Sequence, residues 1–317
     1  MDFRELSRRR LGRTGMLVSP IGLGGAHLGR VSGQQLDERR AVATVHRALE
    51  LGVNLIDTSP MYGPSEEFIG VALREWRAAG GRREELVISS KSGFVERGVM
   101  DYSGAWTRRS IERSLARLGT GYLDVALVHD PTDLDPVFAP GGALEALEEM
   151  KAEGTIRAVG LGVRNRPLHL RAIASGRFDV SLTHCDFNLI DRGAAHDLLP
   201  SAAAHDVGVL NGAAVMLGLL SGADPREVAR SLGGFASPRR LARAVALWEW
   251  AQERKVSLLA VNLQLCLREQ RIASTLVGAR APAEIEADLA AATAELPANT
   301  WDDLRAMMAQ SPAFRDG

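Results

Sequence analysis

The sequence predicts an α/β fold, a single (β/α)8 TIM barrel spanning residues 1–317 with an N-terminal β-hairpin, and three observations carry that expectation. Short apolar runs alternate with amphipathic stretches of helical period along nearly the whole chain, the pattern of repeated strand–helix units. Eight such runs follow the hairpin, and no Pro/Ser-rich linker divides them, which favours closure into a barrel over an open sheet. A length of 317 residues is one that α/β barrels commonly occupy as one domain.

Taken in order, the hairpin is expected near residues 8–18, and strands near 21–24, 53–57, 86–91, 123–129, 157–162, 179–184, 207–211 and 274–277. Helical periodicity falls near 37–51, 65–78, 107–118, 141–153, 167–175, 194–205, 239–254, 257–268 and 282–293. The uncharged segment Val207 to Ala223 has the apolarity of a membrane span, but it is marginal in length and holds Asn211 and several glycines. It reads as a buried strand followed by a glycine-rich loop.

Composition narrows the class. Apolar residues make up 46% of the chain, normal for a globular domain with a large core. A net charge of −1 gives no basic footprint for nucleic acid or an anionic membrane, so neither is expected as a partner. Met1 to Arg10 is polar and Arg-rich with no apolar stretch behind it, so no signal peptide is expected. Cys185 and Cys266 stand far apart in apolar surroundings and read as buried free thiols of a reducing compartment. The expected location is cytoplasmic and the expected partner a small-molecule substrate; nothing in the sequence fixes an oligomeric state.

The chemistry concentrates at strand ends. Asp57, Lys91 and His129 directly follow the apolar runs Val53 to Ile56, Leu86 to Ser90 and Leu123 to Val128, and Tyr62 sits in the turn after the first. A parallel barrel collects its reactive groups at the C-terminal ends of its strands. Lys91 is one of only three lysines, with Lys151 and Lys255, in a chain that otherwise uses arginine. At the end of Leu-Val-Ile-Ser-Ser it would be a buried ammonium, which needs a paired anion. A structural Lys–Asp pair would explain Lys91 alone, and a helix cap would explain Asp57 alone. With Tyr62 and His129 added, the set reads as a proton-transfer site.

Its mechanism follows from charge. A free tyrosine ionises near about pH 10, too high for an efficient base at neutrality. Lys91 nearby favours the phenolate, while Asp57 holds the ammonium and limits its effect. Tyr62 is then the proton donor for carbonyl reduction or the acceptor for alcohol oxidation. His129 can orient the substrate oxygen through a ring N–H. No side chain supplies a hydride, so a redox cofactor is implied.

Other residues have plainer readings. His46, His196 and His205 lie on helical stretches as packing or surface residues, and Asp124 pairs within the barrel base. The run Asp130-Pro-Thr-Asp-Leu-Asp135 lacks a partnering cluster, so a solvated loop is expected and no metal. Trp248 and Trp250 are two apart on a helix and face different ways. His27, Met61, Phe94 and Trp106 lie in loops at the catalytic face and are expected to line the substrate pocket.

Several words carry a resemblance: Asn54-Leu-Ile-Asp57-Thr-Ser-Pro-Met-Tyr62-Gly63, Ile88-Ser-Ser-Lys91 and Leu123-Asp-Val-Ala-Leu-Val-His129-Asp-Pro131, with Leu11-Gly-Arg-Thr-Gly15 and Ile21-Gly-Leu-Gly24-Gly25 before them. From about Arg10 to Leu289 the chain resembles the aldo-keto reductases. Phe187-Asn-Leu-Ile-Asp-Arg192 and Val209 to Leu220 look closest to the L-galactose, L-fucose and D-threo-aldose dehydrogenase branch, which oxidises free sugars.

The resemblance implies a nicotinamide cofactor. It places Gly24 and Gly25 as backbone clearance beside the nicotinamide ribose, with Asp57 close by, and Asn165 at the carboxamide. Three departures stand out: Arg164 replaces the neighbouring serine, His184 aligns with the carboxamide-binding glutamine, and Gly212 stands where many members stack an aromatic ring. Asn211 and Leu217 flank that position. Gly278, Ala279, Arg280, Glu284 and Asp288 fall at the adenosine end. NADPH-preferring members commonly carry lysine and arginine where Gly278 and Glu284 align. A carboxylate at Glu284 repels a 2′-phosphate and can accept from a free ribose hydroxyl, whereas Arg280 could reach a phosphate. NAD is therefore the expected cofactor and NADP the alternative.

NAD favours oxidation. The expected function is oxidation of a small polyhydroxylated substrate, an aldose to its lactone, by hydride transfer with Tyr62 as general acid/base. Three alternatives share the sequence features: an NADPH-dependent aldehyde or ketone reductase, a dehydratase or lyase with tightly bound NAD, and a non-enzymatic cofactor-binding redox sensor or subunit.

Overall fold

The computed structural model describes residues 3–31 and 34–315. Eight parallel strands close into a barrel in chain order: β1 (Ile21–Gly24), β2 (Leu55–Asp57), β3 (Val87–Ser92), β4 (Leu123–His129), β5 (Ile156–Gly162), β6 (Val180–His184), β7 (Gly208–Gly212) and β8 (Ile272–Val277). Around them run helices α1 (Glu38–Glu50), α2 (Ser65–Ala78), α3 (Gly104–Leu118), α4 (Ala143–Ala152), α5 (Arg166–Ala174), α6 (Leu198–Ala204), α7 (Pro238–Arg254), α8 (Leu258–Arg268), α9 (Pro282–Thr293) and α10 (Thr300–Gln310).

Local chemistry sets the helix starts. Asp37, Ser103, Ser237 and Ser257 each accept a backbone N–H from the first turn of α1, α3, α7 and α8. Proline occupies the first turn of α5, α7 and α9, where its missing N–H costs nothing. The strands then sort their side chains by the two-residue period of the pleat. Leu55, Val87, Val125, Leu127, Val180, Leu182 and Leu210 fill the barrel interior. Ile56, Ile88, Ala126, Val128, Val159 and Leu161 pack outward against the helices.

The hairpin, Arg9–Arg10 paired with Leu17–Val18, closes the bottom, and its Leu11, Met16 and Val18 join the interior core. Asp124 binds Arg83 and Arg157 at 2.7 and 2.8 Å and accepts the Ile88 N–H, the expected pairing at the base. Cys185 and Cys266 are buried and free, as expected. Among the described residues no helix is long and apolar enough to cross a membrane.

Several elements depart from expectation. Strand β2 starts two residues late because Asn54 leaves the ladder: its side chain accepts the Ser19 N–H at 2.6 Å and donates to the Leu17 carbonyl at 2.9 Å. The helix expected near 194–205 is a 3-10 turn, Gly193–Ala195, then α6, with Asp197 capping at the break. A two-stranded ribbon, Phe94–Glu96 with Val99–Met100, and helix α10 had no distinct periodic signal.

Candidate active site

Strand parity builds the site. Leu55 points into the barrel, so Asp57 does; Val87 points in, so Ser89 and Lys91 do; Val125 and Leu127 point in, so His129 does. In register, Leu127 lies beside Lys91 and Asp57 beside Ser89, which brings the three strand ends together. Lys91, 2% exposed, donates to Asp57 Oδ2 at 2.5 Å and to the Thr58 carbonyl at 2.8 Å. Ser89 donates to the other Asp57 oxygen at 2.9 Å.

Tyr62 ends a 3-10 turn, Pro60–Tyr62, whose start is capped by the Ser59 hydroxyl accepting the Met61 N–H. Its ring centroid lies 5.0 Å from Lys91 Nζ and 5.9 Å from the His129 ring, which stands perpendicular to it. His129 is buried, with Nδ1 3.1 Å from Ser59 Oγ and its carbonyl accepting the Tyr102 hydroxyl at 2.9 Å. All four residues of the expected proton-transfer set thus lie together at the strand ends.

The charges behave partly as expected. Burial would strip Lys91 of its proton, but Asp57 and Tyr62 reverse this and its pKa rises. For Tyr62, burial is the largest influence and raises the pKa; Lys91 pulls it down, Asp57 pushes it up, and the net direction is upward. Lys91 therefore acts with the expected sign but does not outweigh burial, so the phenol is protonated at neutral pH. Burial first, then Lys91, Arg164 and His184, hold His129 well below the usual imidazole range, so its ring is neutral.

The residues expected around a nicotinamide cofactor divide. His184 points inward, following Val180 and Leu182, and its Nε2 is buried without a hydrogen-bond partner. Burial, then Arg164, Arg240 and Lys91, push His184 down to about 4, leaving a neutral ring that can donate or accept. That orphaned atom, on an inward-facing ring, has the hydrogen-bonding capacity a carboxamide would need. Exposed Asn165 stands just beyond β5, and exposed Leu217 takes a left-handed φ of 53° in the loop after β7.

Several expectations need correcting. Asn211 has the outward parity, so its side chain leaves the barrel interior and donates to the Phe187 carbonyl at 3.0 Å and toward Cys266 of α8. Ala279 is fully buried among the helices and offers no side chain to a ligand. Gly25 is required by protein packing, since a Cβ there would meet Ser65 Oγ at 2.7 Å and the Asp57 carbonyl at 3.0 Å. Gly24 has ordinary room for one. A Cβ at Gly212 would meet the Thr183 carbonyl at 2.9 Å, so a side chain there would need the backbone to shift.

In the first turn of α9, Glu284 is not free. Its carboxylate accepts the Arg280 backbone N–H at 2.8 Å and binds the Arg280 guanidinium at 2.9 Å. Burial would raise the Glu284 pKa, but Arg280 more than offsets it. Asp288, one turn further along α9, is pushed up to about 7 by burial and by Glu284. His27, expected in the substrate pocket, packs instead on Gly278, where a Cβ would lie 2.1 Å from its Nδ1, and it feels Arg280 and Glu284. Of the other pocket residues, Met61 is exposed beside Tyr62, the Phe94 strand packs against the Tyr62 turn, and Trp106 Nε1 donates to the Phe94 carbonyl at 3.3 Å.

Sequence reasoning missed five residues here. Ser89 had a usable signal, since it shares the parity of Lys91. Ser59 lay inside the motif but read only as turn. Tyr102, whose ring covers Gly93, had no spacing to mark it. Arg164 read only as a departure, yet it is an exposed cation at the mouth that influences His129, His184 and Asp130. Asp130 read as solvated loop, but it is half-buried next to His129 with a left-handed φ of 43°. Asp133 and Asp135 in the same run do behave as surface residues, pairing with Arg171.

A closed parallel barrel with an ammonium–carboxylate pair, a phenol and an imidazole at its strand ends defines a nicotinamide-dependent barrel oxidoreductase as the class. The chain belongs to the aldo/keto reductase family, whose model matches residues 20–309. It is 32% identical to L-galactose dehydrogenase from Arabidopsis thaliana over 298 residues, covering 91% of this chain and 89% of that protein. It is 27% identical to D-threo-aldose 1-dehydrogenase from a Pseudomonas species, covering 92% and 94%. Among solved structures, glycerol dehydrogenase from Gluconobacter oxydans superposes with a TM-score of 0.77 at 26% identity, covering 98% of this chain and 97% of that one.

Proposed function

We propose that this enzyme oxidises an aldose to its lactone with NAD, Tyr62 taking the proton of the substrate hydroxyl. The observation that carries the chemistry is the convergence of Asp57, Lys91, Tyr62 and His129 at the strand ends. The two sugar-dehydrogenase relatives support the substrate class. A nicotinamide dinucleotide, when bound, supplies the hydride acceptor. His184 and Asn165 would hold its carboxamide end, and Arg280, Glu284 and Asp288 its adenosine end.

The protein's own part is proton handling and orientation. Asp57 keeps Lys91 charged and in place, and Lys91 stabilises the phenolate against the opposing effect of burial. His129, neutral and buried, offers an N–H to the reacting oxygen without competing for the proton. The phenolate accepts a proton and the phenol donates one, and the phenol pKa is raised, so oxidation should accelerate from neutral to alkaline pH while reduction holds level and falls only above the ordinary tyrosine value of about 10. A pH profile of kcat in both directions checks this. Screening aldoses, simple aldehydes and polyols with NAD and NADP, read at the nicotinamide absorbance, tests the substrate class. Reduction of simple aldehydes with no aldose oxidation would overturn it.

The cofactor preference rests on Glu284. With Arg280 already bound to Glu284, a 2′-phosphate would meet a carboxylate and an occupied guanidinium. Glu284→Arg should shift relative affinity toward NADP by about ten- to a hundredfold, the value of one gained charge-assisted contact. Fluorescence titration of both dinucleotides into wild type and variant measures it. Wild type binding NADP tenfold more tightly than NAD would sink the NAD assignment.

A further inference from the structure

We propose that Ser59 is a positioning residue that holds His129 as the tautomer protonated on Nε2 and ties that ring to the turn carrying Tyr62. The inference rests on the reading above, in which His129 donates to the reacting oxygen. Ser59 is fully buried, and its Oγ lies 3.1 Å from the Met61 amide nitrogen and 3.1 Å from His129 Nδ1. Met61 precedes Tyr62 within the Pro60–Tyr62 turn. One oxygen therefore touches both the turn that presents the phenol and the imidazole.

The direction of the second bond follows from counting. A hydroxyl has one hydrogen and two lone pairs. The Met61 N–H takes one lone pair, and the hydrogen then needs an acceptor. Between the two described contacts of Oγ, only Nδ1 can accept, since the other is an N–H. If Nδ1 accepts, a neutral ring carries its proton on Nε2, free to be donated. The opposite tautomer would present two donors to Oγ and leave the buried Ser59 O–H without an acceptor, an arrangement native interiors avoid. His129 is kept neutral chiefly by burial, so exactly one ring nitrogen is protonated and the choice is between these two forms.

The Tyr102 hydroxyl on the His129 carbonyl fixes the backbone behind the ring. It cannot select a tautomer, so that task falls to Ser59. The arrangement also couples two catalytic elements: a shift of the Met61 turn moves Oγ, and with it the partner of Nδ1.

The test is histidine 15N NMR on the full-length protein without cofactor, with His129 assigned by the signal lost in His129→Gln. Wild type should show an unprotonated Nδ1 and a protonated Nε2. Ser59→Ala should give mixed tautomers and lower kcat about three- to tenfold, the range for one neutral hydrogen bond, with KM within about twofold. Ser59→Thr, which keeps the hydroxyl, should restore the Nε2–H form and most of the turnover. A protonated Nδ1 in wild type would overturn the proposal. So would Ser59→Ala that loses turnover while its tautomer stays unchanged, because Ser59 would then only cap the turn. The wild-type spectrum decides the tautomer even if Ser59→Ala folds poorly. It needs no substrate, so a failed aldose assignment is separable from a failed role for Ser59.

Discussion

Tyr62→Phe is expected to cut turnover by about two to four orders of magnitude, the range for losing a general acid–base. The substitution removes one oxygen and leaves the ring, so the perpendicular contact with His129 and the approach of Lys91 Nζ to the ring face should survive. The Ser59 cap on the turn is made through the Met61 amide and does not involve the phenol. Folding should therefore be unchanged, and so should dinucleotide affinity. Single-turnover kinetics at saturating substrate, with cofactor titration alongside, separates chemistry from binding. A variant that keeps more than about half of wild-type turnover, with chemistry rate-limiting, would remove Tyr62 from the proton path. Residual activity should also lose the pH dependence that wild type owes to the phenol.

Much of this was legible in the sequence because two periodicities did the work. The two-residue alternation of β2, β3 and β4 fixes which side chains enter the barrel, and Asp57, Lys91 and His129 are the last inward positions of those strands. Where an expected site residue had outward parity, as Asn211 does, the same rule already argued against it. The rest was illegible for physical reasons. The upward shift of Tyr62 is a balance between burial and two opposite charges, and sequence gives only the identities of the charges. His27 was assigned by its loop, but its ring is steered by the absence of a side chain at Gly278, a position 251 residues away by number. The Arg280–Glu284 pair is readable as an i,i+4 spacing, but spacing alone does not show that the two side chains bind each other before either meets a cofactor. Tyr102 reaches the His129 carbonyl from a loop whose ribbon has no periodic signal.

Lys91→Met should have two separable effects, on stability and on pH dependence. In wild type the ammonium binds Asp57 at 2.5 Å and the Thr58 carbonyl at 2.8 Å, with both charged groups buried. Methionine fills similar volume but leaves Asp57 with Ser89 as its remaining side-chain partner. Stranding one member of a buried ion pair costs about 3–5 kcal/mol, which for a chain of this size lowers Tm by on the order of 10 °C. The second effect is on Tyr62. Lys91 lowers the phenol pKa against burial, so its removal moves that pKa further up, and residual oxidation should need higher pH than wild type. Adding Asp57→Asn separates the two, because it removes the stranded charge without supplying a cation. The double variant should recover much of the lost Tm, and its pH profile should lie between those of wild type and the single variant, because the Asp57 charge that raises the Tyr62 pKa is removed as well. If Lys91 were only a structural partner of Asp57, the single variant's pH–rate profile would overlay that of wild type, and the electrostatic role of Lys91 toward Tyr62 would have to be given up.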